Sequence, residues 1–330
     1  MLQQKTLLSL ALVFLFAFTA CNQTSTPLEP QSGGLSLSGD KSASVDVTAA
    51  ASYLDGVNAK LASDGSNMRV AYAEYVTGGP TADAAGQIVF ANDRQKRLTA
   101  QWVPFLGNPI RDRDDTVNHA IFLPFASTSD GIDGEPEIDA SFDTWENVTC
   151  SKLDIVKHPG LPANVFPSAI LPPGLLGLVG FVNNFFLADI NTIGFLPGSI
   201  FDLVLGPGSA NNVLGVTFTF IWVDDNGDPT DIDGNGFDDV AIKEVWYNDA
   251  FEWTNAGNDP VAYDIQTVAF HENGHALGLG HFGKVFGTLS NLRLHIAPRA
   301  AMNAFIFDAL REPLGTDNAA YCGLYASWPN

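Results

Sequence analysis

Residues 271 to 281 read His-Glu-Asn-Gly-His-Ala-Leu-Gly-Leu-Gly-His and hold three of the chain's six histidines. Their spacing demands one local geometry. His271 and His275 are four residues apart, so on a helix both imidazoles leave the same face one turn apart and can reach a single ion. Gly278 follows three residues later, where a residue that tolerates positive φ stops the helix and swings the chain back to deliver His281. Three imidazoles leave the fourth tetrahedral position of Zn2+ to water, as in catalytic rather than structural sites. The expectation is one catalytic zinc on His271, His275 and His281. Glu272 sits beside the water as general base and takes its proton as it attacks.

The pattern H-E-x-x-H-x-x-G-x-x-H resembles the signature of the metzincin metalloproteases, and its flanks are similar to the matrixin branch. Tyr263 to Phe270 leads into the first histidine, Val245 to Trp253 resembles the strand before the active-site helix, and Leu314 to Tyr325 resembles the last helix. Arg299-Ala300-Ala301-Met302 is the counterpart of the methionine turn, with Met302 as an apolar floor under the metal. The resemblance implies an α+β fold: a metzincin-like catalytic domain with a twisted mixed β-sheet, an active-site helix, a Met-turn and a C-terminal helix. It also implies a zinc-dependent endopeptidase that acts on extracellular proteins or peptides. The alternative is a non-catalytic surface binding or adhesion lipoprotein that keeps the scaffold. Phe282 follows the third histidine where matrixins carry Ser or Thr, and Asn303 and Ala304 replace the usual wall of the specificity pocket, so cleavage preference does not carry over. No cysteine stands in a Pro-Arg-Cys-Gly context, so the thiol latency of vertebrate matrixins is not expected.

The N-terminus reads as a lipoprotein-type signal peptide over residues 1–21. Lys5 supplies the positive end, and the apolar run from Leu7 to Phe18 is twelve residues, short of the roughly 20 that span a bilayer. Cys21 is the expected lipidated residue, which makes the chain a cell-envelope lipoprotein, or a secreted protein if Cys21 carries no lipid. Residues 22–46 have the composition of a flexible tether. Residues 47–95 read as an N-terminal extension or pro-segment, and 96–330 as the catalytic domain. Cys150 and Cys322 remain as a candidate disulfide in an oxidising compartment, or as two buried thiols. A net charge of −21, from 16 basic and 37 acidic residues, argues against nucleic acid and against direct contact with an anionic membrane. Membrane contact is expected through the lipid alone, on a monomer.

Ala49–Ala62 and Ile138–Val148 read as helices, Met68–Val76 as a strand, and residues 99–126 carry further strands. Pro159 to Asn212 is apolar without a clean period and reads as irregular chain packed on the core. Gly215 to Val223 alternates, with Val216, Phe218, Phe220 and Trp222 on one face and Thr217 and Thr219 on the other, the pattern of a half-buried strand. The acidic loop beyond it places Asp231, Asp233, Asn235 and Asp239 at the first, third, fifth and ninth positions of a calcium loop, with Gly236 at the turn and Phe237 offering its carbonyl. Ile242 stands where an EF-hand needs Glu. The readings left open are a calcium site in a β-connection and a solvated acidic turn. His119, His158 and His295 are scattered singly and read as surface or packing histidines.

Overall fold

The computed structural model describes residues 46–78, 88–90, 100–105, 114–158, 188–288 and 293–329. The leader, Cys21 and nearly all of the tether lie outside these residues, as does 159–187. The strands are β1 (Met68–Thr77), β2 (Ile88–Phe90), β3 (Ala100–Gln101), β4 (Thr116–Ile121), β5 (Asp154–Lys157), β6 (Ile190–Leu196), β7 (Val213–Trp222) and β8 (Asp238–Asn248). They form one eight-stranded sheet in the order β2-β1-β7-β8-β6-β4-β5, with β3 paired to the start of β8. β8, β6, β4 and β5 run parallel to one another, whereas β7 is antiparallel to both β8 and β1. A mixed sheet with helices is compatible with a metzincin-like domain.

Helices cover both faces of this sheet. On one side α1 (Val47–Ser63) and α3 (Gly198–Leu205) bury Leu54, Val57, Leu61, Phe201 and Val204 against Val216, Phe218, Phe220 and Trp246. On the other, α2 (Glu135–Glu146), α4 (Ile265–Ala276) and α5 (Gly315–Tyr325) join a core built around Phe142, Trp145, Phe270, Tyr321 and Tyr325. The apolar residues of α1 recur at helical spacing, and Asp46 fixes its start by accepting from the Thr48 and Ala49 amides at 3.1 and 3.0 Å. Cys150, just past α2, is disulfide-bonded to Cys322 in α5, with Cα atoms 5.6 Å apart.

Three expectations need correction. The helix expected over Ile138–Val148 runs from Glu135 to Glu146. Asp133 accepts from the Glu135 amide at 3.1 Å, and Pro136 occupies the first turn, where its missing N–H costs nothing. The stretch expected to be irregular up to Asn212 contains β6 and α3 in its described part. β6 is an interior parallel strand, buried on both faces, so it has no polar alternation to reveal it. β7 is likewise buried along its whole length rather than half-buried. Thr217 faces α4 rather than solvent, and Thr219 is buried too.

A candidate metal centre under the sheet

Helix α4 carries the first two histidines, and its ends are set locally. Asp264 caps the N-terminus by accepting from the Thr267 amide at 3.0 Å and its hydroxyl at 2.6 Å, while the Arg311 guanidinium clamps the same carboxylate. Burial works against that charge, but the Arg311 and Thr267 bonds hold the Asp264 carboxyl below its ordinary range. Gly278, at φ 90°, ends the helix as its position required.

The three histidines converge. Their Nε2 atoms lie 3.0, 3.0 and 3.1 Å from one another. Nδ1 of His271 donates to the Ala301 carbonyl at 2.7 Å, and Nδ1 of His275 to the Leu279 carbonyl at 2.7 Å. Carbonyls only accept, so these two rings carry their protons on Nδ1 and present bare Nε2 lone pairs to each other. Lone pairs crowded at this distance are repulsive unless a cation lies among them. Three nitrogens at about 2.05 Å from a tetrahedral zinc would stand about 3.3 Å apart, close to the observed triangle. The donor set therefore fits zinc. Burial holds the His271 and His281 rings well below the ordinary imidazole value, which keeps them neutral, as ligands must be.

Glu272 is fully buried next to this triangle. Its Oε2 accepts from the Thr217 hydroxyl at 2.6 Å, and burial pushes its carboxyl up to about 8. Gly215 of β7 lies so close that a Cβ there would meet Glu272 Cγ at 2.7 Å. Below the helix, Met302 is fully buried against Gly274, which separates the two helical ligands. The turn bearing Met302 is held by Asp317, whose carboxylate accepts from the amides of Ala301 at 2.8 Å, Met302 at 3.1 Å and Leu314 at 2.8 Å.

Several supporting residues escaped the sequence reading. Lys243 of β8 is fully buried and donates from Nζ to the His275 carbonyl at 2.7 Å, neutralising the C-terminal end of α4; burial draws its ammonium down to about 8. Glu74 of β1 is equally buried, with Oε1 2.9 Å from His275 Nδ1. That carboxylate opposes the burial penalty on the His275 ring and raises its value overall, although the Leu279 carbonyl takes the better-aligned bond. Each had one signal in the sequence, a charged residue next to apolar ones within a strand, Glu74 between Ala73 and Tyr75 and Lys243 after Ile242. Thr217 had none, because its side of β7 looked solvent-facing. His119 is a packing residue, stacked on Phe142 with ring centres 4.0 Å apart and facing Asp139. The side chain of His295 lies outside the described residues.

In the acidic loop between β7 and β8, carboxylate oxygens of Asp231, Asp233 and Asp239 lie within 4.8 Å of one another. The loop is wound on backbone amides. Asp231 accepts from Asn235 and Gly236, and Asp239 from Ile232. No side-chain contact there requires an ion.

With this geometry in place, the comparison with protein families is specific about class. Residues 223–287 match the matrixin family of metallopeptidases. The segment runs from the end of β7 through the acidic loop, β8 and α4 and takes in all three histidines and Glu272, though it is well under half of the chain. A metzincin- or matrixin-like domain with a zinc metallopeptidase site is therefore supported for this part of the molecule. Comparison with the curated proteins finds no match.

Proposed function

We propose that the chain is a zinc-dependent endopeptidase of the matrixin type that cleaves extracellular proteins or peptides, acting as a monomer held at the cell envelope by lipid on Cys21. The observation that carries this reading is the triangle of bare Nε2 atoms on His271, His275 and His281 with the Glu272 carboxylate beside it. Zinc in that triangle would polarise the scissile carbonyl and acidify water to about pH 7. Glu272 takes the proton of the attacking water and returns it to the departing amine nitrogen. A carboxyl whose burial favours the neutral form accepts a proton readily, which suits that shuttle. Thr217 holds Oε2 in place, and the Ala301 and Leu279 carbonyls fix the ligand tautomers. Met302 serves as the floor of the Met-turn. In this reading the loop of Asp231, Asp233, Asn235, Phe237 and Asp239 binds calcium and stiffens the β7–β8 connection.

The test is metal content paired with cleavage. The purified chain should hold one zinc, and casein-like substrate should be cut in a manner abolished by a chelator and restored by zinc. A zinc-loaded chain that cuts nothing across a broad panel of unstructured proteins would move the weight to a non-catalytic binding lipoprotein.

A further inference from the structure

β7 touches the metal centre through Gly215 and Thr217, which lie against Glu272, and residues 304–306 directly follow Met302, buried beneath the ligand helix. An extended peptide brought to the metal would have to pair with those two segments, since main-chain bonds are what hold a substrate strand in register. Both are taken by the chain's own β1. On the β7 side Val76 is opposite Gly215 and Thr77 opposite Val213, and the Gly78 amide donates to the Asn212 carbonyl at 3.2 Å. On the other side Thr77 forms a parallel bridge with Phe305. Its amide donates to the Ala304 carbonyl at 3.4 Å, and its carbonyl accepts from Ile306 at 3.0 Å. Tyr263 clips the end of the strand by donating to the Gly78 carbonyl at 2.6 Å.

The strand also reaches the chemistry. Val76 is opposite Gly215, and Gly215 lies against Glu272, where a Cβ on the glycine would meet Glu272 Cγ at 2.7 Å. His271, Glu272 and His275 have no exposed surface under this cover.

We infer that residues 75–78 are a built-in substrate mimic, so that the described conformation is latent and a protein substrate pairs only after this end of β1 is lifted. The inference rests on the endopeptidase reading for its consequence, but the occupied cleft stands by itself. α1 packs with Met68, Val70, Ala73 and Tyr75 in the core on the far face of the sheet, and Tyr72 and Val76 lie in the core on the near face. The ladder with β7 shifts register between Val70 and Tyr72 and again between Val76 and Thr77, so the last residues of the strand are the ones that can lift while the rest stays anchored. A tethered strand competes at an effective concentration of about millimolar or more. A free peptide offering the same contacts is therefore excluded until the tethered one is unseated.

The test uses metal-free full-length chain, so that it does not depend on catalysis. A fluorescein-labelled peptide copying residues 74–81 is titrated into the wild type, Val76→Pro and Tyr263→Phe, with binding read by anisotropy and folding by thermal melting. Proline at 76 removes a backbone N–H and disturbs the pairing of β1 opposite Gly215. Phenylalanine at 263 removes only the clip on Gly78, and it decides alone if the proline variant does not fold. Peptide affinity should rise at least about 10-fold in Val76→Pro and about threefold in Tyr263→Phe. Equal affinity in all folded forms, or no binding to any, overturns the inference. Zinc-loaded Val76→Pro should then also cleave faster than the wild type; binding gained without any cleavage would count against the endopeptidase reading and leave the mimic intact.

Discussion

Replacing Gly274 by alanine pits two effects of opposite sign against each other, and the structure decides between them. On an exposed helix this change stabilises by roughly 1 kcal/mol, because glycine gives up more backbone freedom. At position 274 the added methyl would overlap Met302 Sδ and lie 3.1 Å from both Met302 Cε and Trp145 Cζ2. Neither neighbour has room to retreat. Met302 and Trp145 are both fully buried, and Trp145 is stacked on Phe270 with ring centres 4.4 Å apart and bonded from Nε1 to the Phe270 carbonyl at 2.9 Å. Overpacking of this kind costs about 1–3 kcal/mol, and the rigid surroundings place it near the upper end. The expected net loss is about 1–2 kcal/mol, seen as a fall in Tm of a few degrees. Met302→Ala alone should cost about 2–5 kcal/mol by opening a cavity. In Met302→Ala the methyl at 274 gains space, so the second change should become neutral or favourable, with a coupling of about 2 kcal/mol in a double-mutant cycle. A Gly274→Ala chain that melts higher than the wild type would refute the account of how Met302 packs under the ligand helix.

Asp317→Ala should lower stability by at least about 2 kcal/mol, because three amides around the Met302 turn lose their acceptor together; a melting temperature within a degree of wild type would remove Asp317 as the turn's anchor. The Asp264–Arg311 pair should show in the acid limb. A carboxyl held below its ordinary value contributes fully above the unfolded value of about 4 and loses that contribution as pH falls through the lower folded value. The Tm difference between wild type and Arg311→Gln should accordingly be constant near neutrality and shrink below about pH 4, and a gap that widens in acid would contradict the pairing. If the acidic loop binds calcium, millimolar calcium should raise the Tm of the wild type and not of Asp233→Ala; an equal rise in both would exclude the loop as the site.

The convergence of His271, His275 and His281 was legible in the sequence because it is fixed by spacing along one helix and one glycine turn, a local relation that needs no tertiary information. α1 was legible from its apolar period in the same local way, whereas the last helix was recognised by its resemblance to the matrixin counterpart. What could not be read was everything that depends on which surface meets which. Thr217 looked solvent-facing because alternation along β7 reports chemistry, not exposure, and the helix that buries it is 55 residues further on. Lys243 and Glu74 act at long range on His275, and Asp317 on the turn of Met302; a charge in the sequence signals only that some partner exists. The status of residues 47–77 stayed open for a related reason. Their helix and strand could be recognised, but pairing of β1 with β7 is a register between distant segments, and register is not encoded in either strand alone.

In the proposed reaction Glu272 does the proton chemistry while the histidines hold the metal, and one comparison separates these roles. Wild type, Glu272→Ala and His275→Ala are each measured for bound zinc and for cleavage of a casein-like substrate under the same conditions. Glu272→Ala should retain one zinc and lose cleavage by at least about two orders of magnitude, whereas His275→Ala should lose zinc and cleavage together. Cleavage by Glu272→Ala at near the wild-type rate would contradict the account.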